Sequence, residues 1–189
     1  MVHSAIIPKD FKQKLNPKIF VIPSNTNYVV ETFTIPPLLH HDHPKIQVLS
    51  ELLTWKFLIP LIREKSGAYG AGCTISKEGR ASLYSFRDPN SLSTFSHFET
   101  AIQSVFNGRF DSYDLESAKL TLFSSLDKTV KNSDKLVNYF ISGLSEDQIE
   151  KYRTQCLEVT HEDIKNSSLE YFLESVSYTH LTLPTTPYV

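Results

Sequence analysis

Apolar residues recur at two different periods along this chain, and the change of period falls in one glycine-rich stretch. The run Tyr28-Val29-Val30-Glu31-Thr32-Phe33-Thr34-Ile35 is β-branched and aromatic, which predicts a strand over 28–35, stopped by Pro36-Pro37. A shorter β-like run, Phe20-Val21-Ile22-Pro23, precedes it across a turn at Ser24-Asn25-Thr26-Asn27, whose small polar side chains bond local backbone. From Lys45 the period lengthens. Ile46, Leu49, Leu52, Leu53, Phe57 and Ile59 form an apolar stripe that predicts a helix over 45–65, with Trp55 as a flanking core anchor. Pro60 removes an interior hydrogen bond, which predicts a kink or break one turn before Arg63.

The joint is Arg63-Glu64-Lys65-Ser66-Gly67-Ala68-Tyr69-Gly70-Ala71-Gly72, which holds three of the six glycines in the chain. Backbone there must turn tightly or run close to something a side chain would exclude. Beyond it, strands over 69–75 and 81–86 flank a turn at Ser76-Lys77-Glu78-Gly79-Arg80, a hairpin pattern. Arg87-Asp88-Pro89-Asn90 closes the second strand, with Arg87 and Asp88 read as a turn-stabilising pair in preference to a pair that serves a ligand.

The rest of the pattern is helical. A helix over 91–107 carries Phe95, Phe98, Ile102 and Phe106, with Gly108 as its C-cap. Another over 113–126 carries Leu115, Ala118, Leu122 and Leu126, and capping boxes open at Ser145 and Thr160. Strand, strand, helix, hairpin and then helices predict an α+β domain, an antiparallel sheet with helices packed on one face. Residues 1–17 are expected to be an irregular lead-in truncated from a longer chain, and 18–176 the domain itself. The tail over 177–189 resembles a translated adapter sequence, is expected to be artefactual or disordered, and is set aside.

Composition narrows the function classes. A formal net charge of -2 gives no basic field for nucleic acid. The most apolar stretch, over 52–62, is interrupted by Lys56 and Pro60 and is too short for the roughly 20 residues of a membrane span. Cys73 and Cys156 are read as buried free thiols. The N-terminal residues show neither a basic and apolar leader nor an Arg-rich amphipathic helix.

His40-His41-Asp42-His43 has metal-ligating residue types, yet the four crowd one linker just before a helix. Asp42 is read as a helix cap with Pro44 at an early helical position, and no metal is assigned to this chain. No His-Glu-x-x-His or His-x-x-Glu-His motif occurs, and the glycine-rich joint lacks the Lys-Ser/Thr ending of a phosphate loop. Ser66 and Cys73 have no paired base. What remains is Arg63, a rigid donor fork, and Tyr69, a phenol able to donate to a carbonyl oxygen as negative charge develops. The alternative is that Tyr69 packs in the core and Arg63 pairs with Glu64 or another surface acid.

Leu61-Ile62-Arg63-Glu64-Lys65-Ser66-Gly67-Ala68-Tyr69-Gly70-Ala71-Gly72, together with Leu83-Tyr84-Ser85-Phe86-Arg87-Asp88-Pro89-Asn90, resembles the C-terminal part of the mitochondrial peptidasomes. These belong to the pitrilysin and insulin-degrading family of zinc metallopeptidases. Ala118-Lys119-Leu120, Gly143-Leu144-Ser145 and Val159-Thr160-His161 agree, so the resemblance covers about residues 18–174.

The resemblance implies a mitochondrial-processing-peptidase-like metallohydrolase domain, the last of four that enclose a chamber. It implies a parent zinc metalloendopeptidase of the mitochondrial matrix, acting on cleaved presequences and other short unstructured peptides. Zinc and the glutamate base would be held outside this chain, by the N-terminal catalytic half of the same polypeptide. Arg63 would hold substrate backbone and Tyr69 would stabilise the oxyanion, making both catalytic and substrate-binding. The family usually has glycine at the position of Ser66 and a non-proline residue at Pro60. A positive φ at Ser66 would add strain of order 1 kcal/mol. The alternative reading is a non-catalytic peptidase-like domain, acting as a peptide-binding or structural partner subunit.

Overall fold

The computed structural model describes residues 25–126 and 144–174. The expectations for 1–17, 20–23 and 177–189 lie outside them. Strands β1 (Asn27–Thr34), β2 (Gly70–Ser76) and β3 (Arg80–Asp88) form an antiparallel sheet in the order β1-β3-β2. The hairpin therefore adds to β1 through its second strand, pairing Tyr28 with Phe86 and Val30 with Tyr84.

Alternation separates the two faces of the sheet. Val29, Phe33, Ala81, Leu83 and Ala71 are buried on one, while Tyr28 and Val30 stand 62% and 57% exposed on the other. The buried face meets the helices: α1 (His43–Leu52), α2 (Leu92–Phe106), α3 (Ser112–Leu126), α4 (Glu146–Leu157) and α5 (His161–Ser168). A π-helical stretch, Leu53–Glu64, continues α1 and packs on β2. A π turn, Leu169–Leu173, continues α5 and brings Phe172 to 4.9 Å from Phe33. Phe98, Leu58 and Ile62 complete the fully buried centre. Helices on one face of an antiparallel sheet is the α+β architecture expected from the pattern.

Four local expectations need correction. Pro60 does not break the helix. The winding widens at Leu53 instead, and the chain stays helical through Glu64, with Lys65 N donating to Pro60 O at 3.2 Å. A wider turn moves the carbonyl that a proline ring would otherwise strike. Leu58 and Ile62 fill the core there, where Ile59 was expected to.

Trp55 is 58% exposed, and its indole N–H donates to Glu51 Oε2 at 3.3 Å. Asp42 stands at the N-cap of α1 without capping through its side chain. Its carboxylate instead takes Lys45 Nζ at 2.9 Å and the Tyr171 hydroxyl at 3.0 Å, tying the start of α1 to the π turn that continues α5. The capping boxes at Ser145 and Thr160 form as expected.

One strand residue runs against its surroundings. Glu31 lies on the helix-facing side of β1, between buried Val29 and Phe33. Burial, and then the charge of Glu99, push its carboxyl up from 4.5 to about 7. Between those values the folded chain binds more protons than the unfolded one, so this group's contribution to stability falls as pH rises. Replacing Glu31 with Gln should therefore raise the urea midpoint at pH 8 and leave it nearly unchanged at pH 4.5. A midpoint unchanged at both values would contradict the placement of Glu31.

Candidate active site

The π-helical stretch ends in a fixed bend. Gly67 adopts φ 81°, and Ser66 donates its hydroxyl to Leu61 O at 2.8 Å, satisfying one of the last helix carbonyls. Ser66 itself is not left-handed, so the strain that its substitution for glycine would bring is absent. The left-handed requirement falls on Gly67. From the other side, Asn90 Nδ2 donates to Ser66 O at 2.9 Å and clasps the bend to the end of β3.

That end is organised by Asp88, which is fully buried. Its carboxylate accepts from Ser85 Oγ at 2.6 Å, Thr94 Oγ1 at 2.8 Å and Asn90 N at 2.9 Å. Its carbonyl accepts from Asn27 Nδ2 at 3.0 Å. One residue thus joins β1, β3, α2 and, through Asn90, the bend. The expected Arg87–Asp88 pair does not form. Asp88 is consumed by these neutral donors, and Arg87 points elsewhere.

Tyr69 emerges from the bend 64% exposed. Its ring stands edge-on to Phe86 at 5.5 Å, and the Arg87 guanidinium lies over it at 5.4 Å. Gly70 and Gly72 make room beneath this surface. A Cβ at Gly70 would overlap the Phe86 ring, and one at Gly72 would lie 2.8 Å from the Tyr84 hydroxyl. Phe86 can lean across β2 toward Tyr69 only because position 70 has no side chain.

Arg63 is exposed on the last turn of the helix. Among the described residues it makes no ion pair, and the Tyr69 hydroxyl makes no hydrogen bond. The two bland alternatives, a core tyrosine and a paired surface arginine, are therefore not what the fold builds. A donor fork and a phenol are held by one rigid bend with their polar ends open.

The histidine run divides. His43 is buried, its Nδ1 2.9 Å from the Tyr152 hydroxyl, and burial holds its imidazole below the usual range. His40, His41 and Asp42 offer three ligand atoms within 4.8 Å of one another. All three residues are already engaged: Asp42 by Lys45 and Tyr171, His40 Nδ1 by the Asp42 amide at 3.2 Å, and His41 Nε2 by Asp42 Oδ2 at 3.2 Å. Lys45 against the carboxylate opposes a second cation at this cluster. Cys156 is a buried free thiol pushed up to about 12, and burial raises Cys73 as well. A raised pKa disfavours the thiolate that a nucleophile needs.

Comparison with known proteins defines the class first. The fold matches a protease from Helicobacter pylori with a TM-score of 0.68 at 16% identity, over 80% of this chain and 39% of that one. It matches a proposed zinc protease from Bordetella pertussis with a TM-score of 0.63 at 15% identity, over 76% of this chain and 86% of that one. The chain thus shares its fold with both of these proteins.

The family described as the PreP C-terminal domain matches residues 17–180. The chain is 41% identical to the mitochondrial presequence protease of Xenopus tropicalis, and 40% identical to that of Mus musculus, each over 152 residues. Both matches cover 80% of this chain and 15% of the relative. The chain belongs to the presequence protease family and spans about a sixth of the length of the relatives it matches.

Arg87 is the residue of this surface that sequence reading assigned to a bland turn pair. The signal for its real position lay in the register between two distant strands. The Asp88 knot generates a test. Asp88→Ala strands three buried or half-buried donors and should cost roughly 3 kcal/mol in urea unfolding. A loss under about 0.5 kcal/mol, the scale of an ordinary surface change, would show that the knot does not hold the bend.

Proposed function

We propose that this chain is the C-terminal domain of a zinc metalloendopeptidase of the mitochondrial matrix that degrades cleaved presequences and other short unstructured peptides. In this reading the N-terminal half of the same polypeptide is the domain's partner. The reading rests on family membership and on one observation: Arg63 and Tyr69 present unengaged polar groups from a bend fixed on both sides. Zinc, held outside this chain, supplies the Lewis acid and the activated water.

The roles of the two side chains follow from their chemistry. Arg63 donates its fork to carbonyl oxygens of an extended peptide backbone and fixes its register. Tyr69 donates its hydroxyl to the scissile carbonyl oxygen as that oxygen becomes an oxyanion. A phenol already positioned on a braced bend needs little reorganisation when the charge develops. No helix among the described residues is long and apolar enough to cross a membrane, and the charge balance offers nothing to nucleic acid.

In a full-length enzyme carrying this domain, Tyr69→Phe should lower kcat on the order of 100-fold, with zinc content and KM unchanged. An unchanged kcat would remove the oxyanion role. Arg63→Ala should act mainly on KM, raising it on the order of 10-fold for an unstructured peptide. A normal KM would remove the backbone-holding role.

A further inference from the structure

Arg87 sits where the β1–β3 ladder slips. Asn27 pairs with Asp88 and Tyr28 with Phe86, so Arg87 has no partner on β1 and forms a bulge. Regular alternation would have followed outward Phe86 with an inward Arg87 and an outward Asp88. The bulge reverses both. Asp88 turns into the buried knot, and Arg87 turns out to the surface that Tyr69 occupies.

The reversal uses a backbone shape that arginine disfavours. Arg87 has φ 48°, the only positive φ at a non-glycine residue among those described. Glycine fits such a bulge position without steric cost. The backbone shape needed to bury Asp88 therefore gives no reason for an arginine side chain at this position. What the side chain adds is a guanidinium 5.4 Å from the centre of the Tyr69 ring, within cation–π range. The same residue also reaches the Tyr69 backbone, its carbonyl accepting from Tyr69 N at 3.4 Å. Phe86 supplies the second wall of the ring's seat.

We propose that Arg87 is the positioning residue for Tyr69, its guanidinium holding the exposed phenol in the orientation from which the hydroxyl meets the scissile carbonyl. The inference rests on the role proposed above for Tyr69. Arg87 acts through the ring and takes no proton itself. The strained bulge is retained because it delivers a cation to one face of the phenol, while Phe86 closes another side.

The test uses the full-length enzyme with Arg87→Gly, Arg87→Asn, Arg87→Lys, Tyr69→Phe and the double variant Tyr69→Phe/Arg87→Gly. Glycine and asparagine both accept the left-handed backbone, so neither should lower the melting temperature. Both should reduce kcat roughly 10- to 100-fold, with KM within about twofold of the parent. Lysine, which keeps the charge without the flat fork, should recover part of the loss. The double variant should be no slower than Tyr69→Phe alone, because the ring that Arg87 orients would then lack its hydroxyl.

Full kcat in Arg87→Gly beside a slow Tyr69→Phe would overturn the positioning role and leave the role of Tyr69 standing. A double variant slower than Tyr69→Phe by the whole Arg87→Gly factor would also overturn it, since Arg87 would then act independently of the ring. So would a fall in kcat matched by a fall in melting temperature. Full kcat in Tyr69→Phe would overturn the role of Tyr69, and the inference with it.

Discussion

The candidate site depends on one buried carboxylate. Asp88 gathers donors from Ser85, Asn90 and Thr94 on its side-chain oxygens, and from Asn27 on its carbonyl. A buried carboxyl group is stable in such a place only when its oxygens are taken, and here neutral donors from three parts of the chain take them. The bulge at Arg87 turns that carboxylate inward. The same bulge frees the arginine, and Asn90 carries the constraint on to Ser66 and the bend. Removing this knot would loosen the strand end, the helix end and the tyrosine between them together.

The bend therefore combines two properties that usually oppose each other. Its backbone is tied down, by the Ser66 hydroxyl on Leu61 and by Asn90 on Ser66. Its outward polar ends stay open, since Arg63 and the Tyr69 hydroxyl have no polar partner among the described residues. Rigid backbone beneath open donors is the arrangement that preorganised electrostatic stabilisation requires. The glycines at 70 and 72 belong to the same design, because they let Phe86 and Tyr84 lie across β2.

Much of this was legible in the chain, and the boundary has a physical cause. The hairpin, the capping boxes at Ser145 and Thr160, and the helical stripe through Leu49 and Leu53 are written in neighbouring residues, so local reading found them. Arg63 and Tyr69 could be singled out from their place at the joint and from a family resemblance. The misses were decided by distant partners and by backbone shape. Pro60 promised a kink or a break, and the chain instead stays helical past it in a wider winding. Trp55 promised core by its size and faces outward. Asp42 promised a cap, and its oxygens went to Lys45 and to Tyr171 from another helix. Arg87 and Asp88 looked like a local pair because nothing within ten residues reveals the slip in register against Asn27. A glycine replaced by serine suggested strain at 66, whereas the left-handed positions that shape this site are Gly67 and Arg87.

In the proposed reading this bend aims Arg63 and Tyr69 at a reacting carbonyl held by another part of the polypeptide. An experimental structure of a full-length enzyme carrying this domain, with an unstructured peptide trapped at the zinc centre, addresses it directly. The account predicts the Tyr69 hydroxyl within hydrogen-bond distance of the scissile carbonyl oxygen, and the Arg63 guanidinium on a neighbouring backbone carbonyl. A trapped peptide with both side chains turned to bulk solvent, away from the metal, would contradict it.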